Sequence, residues 1–99
     1  MTIQKTMNGT DMIIALSGRL DTTTAPELER EVKENLSGAT ALTIDCADLE
    51  YISSAGLRVF LTANKIMRGK GGVKVTHVND SVMEVFEVTG FVDILTIEE

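Results

Sequence analysis

The 99-residue chain has little of what several common classes of protein require. It contains no tryptophan, one cysteine and one proline, and aromatic residues make up only 4% of it. The single cysteine, Cys46, excludes an internal disulfide and a cysteine-cluster metal site. Because Cys46 ends an apolar strand pattern, we predict a buried and unreactive thiol.

Positive charge and long apolar runs are also scarce. The net charge is −6, whereas nucleic acids and anionic membrane surfaces favour a basic protein face. No apolar run approaches the ~20 residues that span a bilayer, and the first residues, Met1–Lys5, do not resemble a signal peptide. We therefore predict one cytoplasmic domain over residues 1–99 with a protein partner, no nucleic acid and no direct membrane insertion.

Hydrophobic periodicity predicts the element order β-β-α-β-α-β-α-β. Ile3–Met7 alternates before an Asn8-Gly9 turn, which indicates a hairpin. Met12–Ser17 is nearly all apolar, as is typical of a strand covered on both faces. Thr24-Ala25-Pro26-Glu27 forms a capping box that begins a helix. Alternating units of this kind predict an α/β fold with a small mixed, mainly parallel sheet and right-handed crossovers.

The later elements follow the same reasoning. We predict strands over Ala41–Cys46, Val73–Val78 and Val92–Ile97, and a helix from Ser54 to about Arg68. The apolar faces of these elements converge on one predicted core, made of Leu16, Leu28, Val32, Leu42, Ile44, Leu57, Leu61, Val75, Val85 and Phe86.

The most informative segment is Leu49–Leu57, where two hydroxyls precede a long helical pattern. Ser53 and Ser54 stand where unpaired backbone N–H groups and the helix dipole stabilise negative charge such as a phosphate. Gly56, in the first turn, costs about 1 kcal/mol relative to alanine, which indicates close approach of a ligand or of another backbone. In the alternative interpretation, a serine caps the helix and Gly56 relieves crowding against the sheet. The spacing alone favours this alternative.

Three catalytic or metal-binding interpretations are weaker. Gly69-Lys70-Gly71-Gly72 lacks the spacing of a phosphate-binding loop and fits a turn. A serine hydrolase would need His77, the only histidine, near a serine, and no G-x-S-x-G elbow is present. Four carboxylates could gather as a Mg²⁺ site, namely Asp21, Asp45, Asp48 and Glu50. We favour the interpretation that these four residues are ordinary loop carboxylates. We predict no catalytic residue, metal or cofactor.

Three segments carry a family resemblance. Gly18-Arg19-Leu20-Asp21 resembles a G-E-L-D opening before a helix. Ile44–Leu57 resembles a strand followed by L-x-x-[FY]-[IM]-D-S-[ST]-G-L, and Asn79–Phe91 resembles a capped helix that closes on S/T-G-L. Together these segments are similar to the bacterial anti-sigma factor antagonists of the STAS family (sulphate transporter and anti-sigma factor antagonist).

The resemblance implies a phosphorylation switch. An antagonist of this kind binds an anti-sigma factor that is itself a serine kinase, and so frees the sigma factor. Phosphorylation of the serine that Ser54 matches breaks the complex, and a metal-dependent serine phosphatase restores it. Three features depart from the family pattern. Ser53 stands at the usual aspartate, Ala55 stands where a second Ser or Thr is common, and the chain ends where many members carry one more helix.

We expect the partner to contact the segment around Ser54. Because the apolar face of this helix is broader than one sheet contact requires, we extend the surface to its outer apolar residues. The expected contacts are Asp21, Ser53, Ser54, Ala55, Gly56, Arg58, Val59 and Ala63. One alternative is a non-phosphorylated STAS subunit that docks constitutively onto a transporter or another signalling complex. An enzyme is the least favoured alternative.

Overall fold

The structure, a computed structural model, describes residues 1–98 as five strands and three helices. The strands are β1 (Thr2–Asn8), β2 (Asp11–Leu20), β3 (Ala41–Ile52), β4 (Val73–Thr76) and β5 (Thr96–Glu98). The helices are α1 (Ala25–Asn35), α2 (Ser54–Met67) and α3 (Asp80–Thr89), and short 3₁₀ turns cover Leu36–Gly38 and Phe91–Asp93. The predicted α/β element order is confirmed.

The five strands form one sheet in the order of the sequence. β1 pairs antiparallel with β2, and the three following pairs are parallel, which confirms the mixed, mainly parallel sheet. Each crossover advances by one strand in the same direction. Because crossovers are right-handed, α1, α2 and α3 lie on the same face of the sheet.

Within residues 1–98, no helix covers the other face of the sheet. In β2, Met12, Ile14 and Leu16 are at most 3% exposed, whereas Ile13 between them is 36% exposed. The prediction that β2 is covered on both faces is therefore wrong. The sequence shows an apolar run, but the common direction of the crossovers places every helix on one side of it.

The core fills the layer between the sheet and the three helices. Phe60 of α2 and Phe86 of α3 lie at its centre, with ring centroids 5.9 Å apart and planes inclined by 40°, a tilted arrangement that aromatic pairs favour. The predicted core residues are buried except Leu61 and Val85, which are half-buried. Val85 packs against the margin of the core.

Helix α2 buries a different face from the one predicted. Val59 is 4% exposed and Ala63 is 0% exposed, so the prediction that these two residues extend an exposed surface is wrong. Leu61, which was predicted to be in the core, retains partial exposure. The reason is that α1 packs beside α2 on the same face of the sheet, next to Val59, and that Ala63 lies within the hydrophobic core.

Four strands differ from prediction at their ends: β2 runs to Leu20 and not Ser17, β4 ends at Thr76 and not Val78, and β3 and β5 differ most. β3 continues past Cys46 to Ile52, because Leu49 and Ile52 return to the buried face. Two bulges absorb the extra residues: β3 advances by three residues between Asp45 and Asp48 while β2 advances by two, and the register shifts again after Leu49. The last strand is Thr96–Glu98 and not Val92–Ile97, because the 3₁₀ turn over Phe91–Asp93 precedes it.

Candidate functional site

The two serines lie where β2 and β3 end side by side. Leu20 and Ile52 are paired in register and buried. The N–H of Ser53 then donates a hydrogen bond to the carbonyl of Leu20 (2.9 Å), and the carbonyl of Ser53 accepts one from the N–H of Leu57 (3.0 Å). These backbone bonds fix the position at which α2 begins, so Ser54 is held at the edge of a rigid sheet.

Ser53 occupies the position before α2 without capping the helix through its side chain. Its backbone is extended (φ −100°, ψ 177°) and its hydroxyl makes no capping bond. Within residues 1–98, the Ser53 Oγ atom is buried and has no hydrogen-bond partner. The interpretation of the Ser53 hydroxyl as a helix cap is therefore wrong, and the first N–H groups of α2 keep their capacity to bind an anion.

Ser54 is exposed and reachable by an enzyme. It is the first residue of α2, and the exposed Arg58 follows one helical turn later. Residues at this i, i+4 spacing are neighbours on a helix surface. The site therefore combines an accessible hydroxyl, free backbone donors and one guanidinium, all of which are compatible with a negative charge on Ser54.

Gly56 is required by packing. A Cβ atom added there would lie 2.7 Å from Leu20 Cγ and 2.8 Å from Ile52 Cγ1, closer than carbon atoms pack. Since both neighbours belong to the buried strand ends, the glycine lets α2 approach the sheet. This geometry supports the interpretation that Gly56 relieves crowding between α2 and the sheet. Gly56 therefore lies beneath the site and not on its surface.

We expect Gly56→Ala to destabilise the fold by up to about 2 kcal/mol. Overpacking of a core costs about 1–3 kcal/mol, and the better helix propensity of alanine returns about 1 kcal/mol. Urea denaturation measures the change. Gly38→Ala is the matched control, because an added Cβ there meets no atom within 4 Å. Equal destabilisation of the two variants would contradict this account.

Asp21 organises the turn between β2 and α1. Its Oδ1 accepts hydrogen bonds from the hydroxyl of Thr23 (2.7 Å) and from the N–H groups of Thr23 (3.0 Å) and Thr24 (3.2 Å). The hydroxyl of Thr24 accepts from the N–H of Asp21 and donates to the carbonyl of Arg19, both at 2.8 Å. Thr24 therefore binds the preceding turn, and the predicted capping box does not form.

The hydrogen bond from the Thr23 hydroxyl lowers the pKa of Asp21, and backbone donors add to the effect while partial burial opposes it. Because the folded-state pKa lies below the unfolded one, this stabilisation is present above the ordinary aspartate pKa and is lost as pH falls through the folded-state value. We expect Thr23→Val to raise the pKa of Asp21, as measured by NMR titration of its carboxyl carbon. An unchanged titration midpoint would refute the assignment of this hydrogen bond as the main cause.

A groove of about 200 Å³ separates the beginnings of α1 and α2. Three predicted contact residues, Ala55, Arg58 and Val59, line it, so Val59 contributes its small accessible surface there. The residues on the α1 side of the groove, and Thr62 of α2, were not predicted from the sequence. The adjacency of α1 and α2 itself follows from two crossovers on one face of the sheet. The added lining residues are Thr22, Ala25, Pro26, Glu29 and Thr62.

The carboxylates considered for a Mg²⁺ site do not form a metal site. Among residues 1–98, no group of three or more histidine, cysteine, aspartate or glutamate side chains could hold a metal ion. His77 pairs with Asp45 (Nδ1 to Oδ1, 3.1 Å). Cys46 is buried as predicted, and burial raises its pKa to about 12. No helix in the described part of the chain is long and apolar enough to cross a membrane.

The fold and the site together define a class of protein. Three helices on one face of a sheet whose strands follow the sequence order, with an exposed serine at the start of the second helix, form a small α/β fold. The family model described as "Mlab, STAS domain" matches residues 3–96. The chain belongs to the STAS domain family.

Individual proteins agree with this assignment. The chain is 33% identical over 91 residues to the anti-sigma-B factor antagonist of Listeria monocytogenes, covering 86% of this chain and 76% of that protein. The crystal structure of an anti-sigma factor antagonist from Mycobacterium paratuberculosis superposes with a TM-score of 0.89 at 22% identity, covering 97% of this chain and 83% of that one. The structure of the Bacillus cell fate determinant SpoIIAA in the phosphorylated form superposes with a TM-score of 0.77 at 16% identity. The match covers 99% of this chain and 92% of that one.

Proposed function

We propose that this protein is an anti-sigma factor antagonist whose partner is an anti-sigma factor serine kinase. In its unphosphorylated form it binds the kinase and releases the sigma factor. The observation that carries the proposal is the exposed Ser54 at the uncapped beginning of α2, in a member of the STAS family. The anti-sigma-B factor antagonist relative supports the same function.

Phosphorylation of Ser54 is the proposed switch. A phosphate adds about −1.5 to −2 charges at pH 7. Within the protein this charge is stabilised by the N–H groups and dipole of α2, so the fold persists. In the complex, the phosphate would be desolvated against the partner without a matching charge, which disfavours binding. The switch therefore needs no change of backbone conformation, and a metal-dependent serine phosphatase restores the binding form.

The proposed docking surface is drawn from the expected contact residues that are accessible. Ser54 and Arg58 are exposed, and Asp21 and Ala55 are partly exposed. These four residues and the groove beside them form the docking surface of the proposal, with Val59 at the bottom of the groove. Gly56 and Ala63 are buried and support this surface from below. Ser53 contributes through its backbone, since its hydroxyl is buried.

The proposal is tested by competition for the kinase. The unphosphorylated chain, mixed with the anti-sigma factor kinase and its sigma factor from the same genome, should displace the sigma factor on size-exclusion chromatography. Addition of ATP should dissociate the chain from the kinase, while Ser54→Ala should remain bound with ATP present. If the wild-type chain neither binds the kinase nor releases the sigma factor, the proposal is wrong.

A second function has one specific observation in its favour. Ser53 stands where the anti-sigma factor antagonists usually carry aspartate, which is compatible with a non-phosphorylated STAS subunit that docks constitutively onto a transporter or another signalling complex. The two functions differ in their response to ATP. A constitutive subunit would bind its partner through the same α2 surface and would stay bound after incubation with ATP and any kinase of the partner complex.

A further inference from the structure

A paired arginine and tyrosine lie beside the docking surface and have no role in the core. Arg19 of β2 and Tyr51 of β3 are partners in register, one pair before Leu20 and Ile52. Because side chains alternate along a strand, Arg19 and Tyr51 lie on the uncovered face of the sheet while Leu20 and Ile52 are buried. The next residue after Ile52 is Ser53, so the pair adjoins the segment that carries Ser54.

The Arg19 guanidinium is held in a defined place. Its Cζ atom lies 4.1 Å from the centroid of the Tyr51 ring, which is a cation–π contact. Its Nε atom lies 4.0 Å from Asp21 Oδ2, beyond hydrogen-bond distance. The ring and the nearby carboxylate therefore orient the guanidinium without a hydrogen bond to its donors.

Both side chains remain open to solvent. The Arg19 side chain is 61% exposed and Tyr51 is 40% exposed. In the part of the chain that the structure describes, no hydrogen bond from the Arg19 guanidinium to another residue is present. A stacked guanidinium with free planar donors is preorganised for two parallel hydrogen bonds to a carboxylate.

We propose that Arg19 and Tyr51 form a second contact of the docking surface, at which Arg19 binds a carboxylate of the partner protein and Tyr51 packs against the same segment. This inference rests on the proposed function. Arginine and tyrosine are the residue types that most often dominate binding energy at interfaces. The net charge of −6 disfavours a polyanion such as nucleic acid as the occupant, whereas a single carboxylate on a protein fits one oriented guanidinium.

The test measures affinity for the kinase that binds the wild-type chain, by isothermal titration. Arg19→Gln should weaken binding about tenfold or more, as expected when an interface arginine that binds a carboxylate is removed. Arg19→Lys should recover only part of the loss, because lysine keeps the charge but not the planar fork. Tyr51→Phe should bind like wild type and Tyr51→Ala should not, since the ring is what orients Arg19. Arg30→Gln is the matched control, because Arg30 is an exposed arginine on α1 away from this pair.

A second measurement detects the contact between Tyr51 and the kinase directly. Tyr51 is the only tyrosine, so a chain labelled with ¹³C-tyrosine gives NMR ring signals that belong to this residue alone. These signals should shift on addition of the kinase. If wild type binds while Arg19→Gln and Arg30→Gln bind equally well, the inference is wrong and the proposed function stands. If the wild-type chain binds no such kinase, both are overturned together.

Discussion

A phosphate on Ser54 is expected to lower the affinity for the anti-sigma factor kinase by about 100-fold or more while leaving the fold intact. At 1.4 kcal/mol for each factor of ten, this corresponds to about 2.8 kcal/mol. A desolvated charge without a partner at an interface costs about 2–5 kcal/mol, so the effect is of the right size. The fold should persist, because Ser54 is exposed and the free N–H groups of α2 receive the charge.

The measurement compares the affinities of phosphorylated and unphosphorylated chains for the kinase, by titration in the presence of a non-hydrolysable ATP analogue. Thermal unfolding of the two forms measures whether the fold persists. Ser54→Asp should weaken binding less than phosphate does, because one carboxylate carries less charge and fewer oxygens. Ser53→Ala should still be phosphorylated, and its affinity for the kinase should still fall on phosphorylation. Equal affinity of the two forms would show that the interface does not include Ser54.

We expect Ala63→Asp to unfold much of the protein. Ala63 is 0% exposed within the hydrophobic core, so an aspartate there would be buried without a partner. An uncompensated buried charge costs about 3–5 kcal/mol, a large part of the 5–15 kcal/mol that stabilises a typical domain. At about 4–8 °C per kcal/mol for a domain of this size, the midpoint of thermal unfolding should fall by at least about 12 °C.

Circular dichroism measures this midpoint. Asn64→Asp is the matched control: it introduces the same carboxylate one residue later, where the side chain is partly exposed, and should unfold close to the wild-type temperature. The result separates two accounts of α2. The sequence alone suggested that Ala63 lies on the partner surface, in which case Ala63→Asp would fold normally and only lose binding.

The order of the elements could be predicted from local pattern because each depends on neighbours in the chain. Alternation in the first strands, the Asn8-Gly9 turn and the glycines after the helices each mark a boundary within a few residues. The position of Ser54 at the start of α2 follows from the same local rules. Its proposed role as a switch came from the family resemblance and not from periodicity.

What the sequence could not provide depends on contacts between distant residues. The apolar arc of α2 includes both Leu61 and Ala63, and only packing against the sheet and the other helices decides which of them is buried. The continuation of β3 through two bulges depends on pairing with β2, and it brings Tyr51 against Arg19. The Asp21 turn likewise uses the hydroxyl of Thr24, which the sequence suggested as a helix cap. Periodicity identifies which residues are apolar, but tertiary packing decides which neighbours they meet.

Intact-mass analysis with phosphopeptide mapping tests the central claim most directly. Wild-type, Ser53→Ala and Ser54→Ala chains would each be incubated with the anti-sigma factor kinase of the same genome and ATP. We expect one added phosphate on the wild-type and Ser53→Ala chains, mapped to Ser54, and none on Ser54→Ala. A phosphate mapped to Ser53, or no phosphate on the wild-type chain with a kinase shown to be active, would contradict the account.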